Sequence, residues 1–145
     1  MTKVVNLNHT RIKSDSLETL LKDLLSDIVK IDNVLLIVRT EGAISEMRSN
    51  SLTLRQKDNW ITIGDNEGPC HMHIDTNVIT EAQFVKEQKE NRTSHSIRFF
   101  DKDRGKIVSA VFSKMYDDNM SIKPDRIKLY DDLFQKYGSK ETIVF

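Results

Sequence analysis

The 145-residue chain holds a single cysteine, Cys70. One thiol cannot close an intramolecular disulfide, so the sequence reads as that of a protein suited to a reducing cytoplasm. An excess of charge of either sign is also missing. The 22 Lys and Arg are matched by 22 Asp and Glu, which argues against the broad basic footprint of a nucleic-acid binder. Aromatic residues make up only 7% of the chain. The one basic-aromatic stretch, RFF…KDRGK, would turn Phe99 and Phe100 to opposite sides of a strand, so it makes no stacking platform for single strands. No apolar run approaches the roughly 20 residues that span a bilayer, and MTKVVNLNHTRIKSD is too polar for the apolar stretch of a signal peptide. Nucleophile elbow, phosphate loop and dinucleotide fingerprint are all absent, and DKDRG lacks the remaining ligands of a calcium loop. With no repeat or linker, the expectation is one soluble cytoplasmic domain over residues 1–145, without nucleic-acid or membrane partners.

What the chain does have is amphipathic order. In SDSLETLLKDLLSDIVKI, Leu17, Leu20, Leu21, Leu24, Leu25, Ile28 and Ile31 recur at helical spacing. Ser14 or Ser16 is the N-cap, and Asp15 and Glu18 suit the positive end of the helix dipole. From Val34 the period changes. VLLIVRT, AISEMRS, SLTLRQ, NWITIGD, CHMHID, SHSIRFFD and KIVSAVFSKMY read as short strands separated by turn residues. ITEAQFVKEQ suits a strand or a short helical turn. SIKPDRIKLYDDLFQKYG predicts a second helix, with Pro124 in its first turn, an apolar stripe at Ile127, Tyr130, Leu133, Phe134 and Tyr137, and Gly138 as its stop. The expected class is α+β: six or seven strands in one antiparallel meander, with an N-terminal and a C-terminal helix.

Candidate chemistry concentrates in PCHMHID. Strand alternation places Cys70, Met72 and Ile74 on one face and His71, His73 and Asp75 on the other. A Cys/His zinc knot is thereby broken up. The histidine face suits a solvated strand surface, a ligand-binding face or a His-x-His-x-Asp metal site. Elsewhere, His95 at the start of SHSIRFF reads as a polar edge residue, Arg98 falls on an exposed face, and Trp60 reads as a core or interface anchor.

The segment from Val34 to about Met115 resembles the haem-utilisation proteins of the HemS/ChuS and ChuX/HutX group. NVLLIVRTEGAISEM, Trp60 in NWITIGD, CHMHID, NVITEAQFVKEQ and SHSIRFFDKDRGKIVSAVF carry the resemblance, in the family's order. It implies the family's antiparallel sheet with flanking helices, in a single half-domain of the kind that pairs as a homodimer. It further implies intracellular binding and trafficking of haem, or of another flat anionic small molecule, at the dimer pocket. Carried over, His73 is the iron ligand with His71 as its neighbour, Lys86 meets a propionate and Phe112 covers the ring; Arg98, from its exposed strand position, is a further candidate for a propionate. Three positions depart from the family's pattern. SDSLETLL has no histidine where doubled members carry one, the nearest being His9. Gln83 replaces a tryptophan, and Phe112 stands where some members have tyrosine, with Tyr116 near. The resemblance also admits a haem-degrading or flavin-type split-barrel oxidoreductase, or a non-haem ligand-binding or regulatory module. The residues themselves supply no redox chemistry.

Overall fold

The computed structural model describes residues 14–145; His9 lies outside them. The first helix, α1 (Asp15–Val29), starts at Ser14, whose Oγ accepts from the Leu17 N–H. Its apolar stripe is fully buried at Leu21, Leu24, Leu25 and Ile28. Eight strands follow: β1 (Val34–Arg39), β2 (Ile44–Arg48), β3 (Leu54–Lys57), β4 (Trp60–Gly64), β5 (His71–Asp75), β6 (Glu81–Gln88), β7 (Thr93–Phe100) and β8 (Lys106–Phe112). Helix α2 (Pro124–Lys136) and a three-residue strand, β9 (Thr142–Val144), complete the order. All pairings between strands are antiparallel, and the architecture is α+β, as the periodicities predict.

The strands do not form one meander. Six make a sheet in the order β2-β1-β8-β7-β6-β9, while β3-β4-β5 form a separate small sheet. Local alternation marks a strand but says nothing of its pairing partner, which is a non-local choice. The small sheet turns Ile61, Ile63 and Ile74 into the same core as the α1 leucines and the large sheet's Leu36, Ile97, Phe99 and Ala110. Glu18 on α1 ties the layers together: its Oε1 accepts from Gln56 Nε2 at 2.9 Å and from Thr76 Oγ1 at 3.1 Å. ITEAQFVKEQ is resolved as strand β6. Helix α2 ends as its sequence predicts, with Gly138 in the left-handed region (φ 102°) just past the C-cap Tyr137; a side chain is strained in that conformation.

Two residues of α2 fix it on the large sheet. The buried Arg126 guanidinium donates to the carbonyls of Asp32 (2.8 Å), Asn33 (3.2 Å) and Ser113 (2.9 Å), at the ends of β1 and β8. One turn on, Tyr130 is 1% exposed. Its ring meets Phe84, His95 and Phe112 edge-on at 5.6, 5.1 and 5.1 Å between centroids, a favoured aromatic geometry. Its hydroxyl donates to the Ser96 carbonyl at 3.0 Å. Burial pushes that hydroxyl well above the usual tyrosine range, so it stays a donor.

His95 is the clearest departure from expectation. It is 3% exposed in the core and no polar edge residue, because β7 is an interior strand between β6 and β8. Its Nδ1 has no hydrogen-bond partner among the described residues. Burial first, and the Lys86 charge second, hold its pKa below the ordinary 6.5.

Tyr130→Phe leaves the Ser96 carbonyl without this donor and should cost about 1–2 kcal/mol of unfolding free energy. Tyr130→Ala also removes the ring and should cost about 3–5 kcal/mol. Urea denaturation of both variants checks this order. His95 yields a pH dependence. As pH falls through 6.5 the unfolded chain protonates this imidazole while the folded chain resists. Stability therefore declines below that pH, since the unfolded state binds the extra proton. Urea midpoints measured between about pH 7 and pH 5 should fall less steeply in His95→Leu than in the parent.

Candidate functional site

Strand β5 alternates as its sequence predicts. Ile74 is buried, Met72 and Cys70 pack on the core, and His71 and His73 are exposed on the outer face of the small sheet. The two imidazoles stand 5.1 Å apart, and His73 Nδ1 shares a 2.9 Å hydrogen bond with Thr62 Oγ1 on the neighbouring strand. Asp75 does not join them as a ligand. Its Oδ1 accepts from Asn59 Nδ2 and the Asn77 N–H, both at 2.9 Å, and so closes a turn. Among the described residues, no group of three His, Cys, Asp or Glu is placed to hold a metal ion. Trp60, on β4, is 48% exposed and lies in no core.

The other expected site residues lie elsewhere. Lys86 is exposed on the helix-facing side of β6, 3.9 Å from the Asp131 carboxylate and over the Tyr130 ring. It borders a crevice of about 410 Å³ between α2 and the β6 edge, lined also by Phe134 and Glu141. Phe112 is 3% exposed, its ring packed on Tyr130. The phenyl group is a core residue because β8 presents Val108, Ala110 and Phe112 to the buried side of the sheet. Arg98, one position along β7 from the buried Ile97 and Phe99, points the opposite way. The fold thus brings none of these residues into one cluster with His73.

The large sheet's second face carries the more complete site. Alternation that buries Leu36, Ile97 and Ala110 leaves Leu35, Ile37, Ser96, Arg98, Ser109 and Val111 facing away from α2. These residues line a groove of about 600 Å³. Leu35, Ile37 and Val111 form an apolar floor. Six cationic side chains, Arg39, Lys89, Arg92, Arg98, Lys106 and Lys114, surround it against two carboxylates, Glu46 and Glu87. A chain with no net charge therefore concentrates positive charge on one concave face. Arg98 Nη2 donates to Glu87 Oε2 at 2.7 Å, and this bond is the main cause holding the Glu87 carboxyl below the usual range. Tyr116 borders the groove, with its hydroxyl accepting from the Thr93 N–H at 2.8 Å. The sequence pointed to Arg98, Phe112 and Tyr116, all of which border the groove, but not to the groove itself. The available signal was the shared parity of Leu35, Ile37, Arg98 and Val111 on three strands, which becomes visible only once those strands are paired.

A family model matches residues 22–138, and with the solved structures it identifies the ChuX/HemS-like haem-utilisation fold. The haem-binding protein ChuX superposes with a TM-score of 0.66 at 15% identity, covering 86% of this chain and 74% of ChuX. Holo-PhuS, a haem-binding protein from Pseudomonas aeruginosa, gives 0.63 at 19% identity over 79% of this chain and 32% of PhuS. ChuS, a haem oxygenase from E. coli, gives 0.62 at 15% identity over 80% of this chain and 34% of ChuS. At these identities the likeness is one of fold. No curated protein matches.

Proposed function

The chain belongs to the ChuX/HemS-like haem-utilisation family, and on that premise we propose that it captures haem, or another flat ring bearing two carboxylates, in the basic groove of its six-stranded sheet. The observation that carries this reading is the pairing of an apolar floor with six cations in one concave face. Haem is a flat, largely apolar macrocycle with two propionates on one edge. Leu35, Ile37 and Val111 match the ring, while Arg98 and neighbouring cations match the propionates, guanidinium being well suited to carboxylates. Haem brings its own iron chemistry when bound. The chain's residues bind the ring, orient it and shield one of its faces from water.

Among the described residues, none that lines the groove is a histidine. Among the described histidines, His95 is buried, so His71 and His73 are the exposed ones. We assign iron ligation to His73 of a second copy in a homodimer, with His71 beside it. The chain covers about a third of PhuS and of ChuS, which leaves room in those proteins for a second unit in the same chain. Lys86 belongs to the other side of the sheet and keeps only a remote electrostatic role.

Hemin titration followed by absorbance tests the reading. The parent should give a saturable, shifted Soret band, and Arg98→Ala should weaken binding about tenfold, since it removes a cation and leaves Glu87 without its partner, facing the ligand's acids. His73→Ala should keep binding but move the band. No saturable band in the parent would overturn the haem reading, and an unmoved band in His73→Ala would overturn the ligand assignment.

A further inference from the structure

Glu87 holds an unusual position in the groove. It is one of only two acids among the lining residues, and it spends both carboxylate oxygens on the groove's own cations. Oε2 accepts from Arg98 Nη2 at 2.7 Å, and Oε1 lies 3.5 Å from Lys89 Nζ. The other acid, Glu46, forms no ion pair among the described residues. Register explains the difference. Glu87 and Arg98 stand on adjacent antiparallel strands, with Arg98 opposite Gln83 and Glu87 opposite Ser94, so the long arginine side chain reaches along the face to meet the carboxylate. The pair lies on the open side of the sheet, where either partner is free to exchange with a solute.

We propose that Glu87 is a built-in competitor for the groove's anion site. Its carboxylate occupies the Arg98 guanidinium that a ligand's carboxylate needs, and the ligand binds by exchange with it. This deepens the capture reading above and rests on it for the identity of the natural ligand. An exchange of one carboxylate for another gains little at Arg98 itself. A ligand with a single acid therefore has little to gain, whereas a dianion engages a second cation that Glu87 does not cover, such as Arg39 or Lys106. Glu87 thus selects for flat dianions over monoanions and neutral rings, and it keeps capture reversible. The arrangement also explains why a carboxylate stands against Arg98 in a face rich in cations. If Glu87 served only to raise solubility, an orientation away from the guanidinium would do as well.

Isothermal titration of the parent, Glu87→Gln and Glu46→Gln with iron-free protoporphyrin, with its dimethyl ester and with naphthalene disulfonate tests this. Glu87→Gln should bind the free diacid about three- to fivefold more tightly, the scale of an exposed ion pair removed, and bind the ester as the parent does. Glu46→Gln makes the same charge change without freeing a cation, and it should gain less than half as much. Equal gains in the two variants, equal gains for acid and ester, or no gain for either anion in Glu87→Gln would overturn the proposal. The disulfonate separates the two readings. A gain for disulfonate with no porphyrin binding in any variant would uphold the role of Glu87 and overturn the haem reading alone.

Discussion

The contact on which the rest depends is Tyr130 against the inner face of the six-stranded sheet. A sheet of alternating strands has two faces, and chain chemistry alone does not say which will be covered. Tyr130 decides it. Its hydroxyl reaches the Ser96 carbonyl, and its ring fills the space between Phe84, His95 and Phe112. Once α2 is held there, with Arg126 clamping three carbonyls at the strand ends, the parity of every neighbouring strand is settled. Ile97 and Ala110 face inward, and Arg98, Ser109 and Val111 must face out. The groove is the complement of the helix-covered face.

That constraint also accounts for the site's electrostatics. The chain is neutral as a whole, so a basic face requires acids to be placed elsewhere. Asp27 pairs with Lys136 and accepts from Tyr137 Oη, and Asp131 lies by Lys86, all away from the groove. Within the groove the balance is set locally, with Glu87 bridging Arg98 and Lys89. Exposed ion pairs of this kind add little stability. Their weight falls on which solutes the face accepts.

Much of this was legible in the residues themselves. The leucine spacing of α1, the proline and glycine that bound α2, and the parity of CHMHID each encode a local structure, and each is found where expected. The ordered motifs from Val34 to Met115 carried the family. What stayed hidden was non-local. Nothing in SLTLRQ or NWITIGD says that these strands pair apart from the large sheet, and TIV (Thr142–Val144) is too short for a period of two to register. His95 read as an edge residue, and Phe112 as a ligand contact, because the residue that covers both, Tyr130, is 35 and 18 positions away in sequence. The groove is a property of paired strands, so reading the strands singly named Arg98, Phe112 and Tyr116 without joining them in one groove.

The central claim is that the ligand lies on the face opposite α2, and backbone amide chemical shifts recorded during titration with gallium protoporphyrin, a diamagnetic stand-in for haem, test it most directly. The account predicts shifts clustered at Leu35, Ile37, Ser96, Arg98, Ser109 and Val111. Shifts confined instead to Lys86, Asp131 and Phe134 in the crevice beside α2 would contradict it.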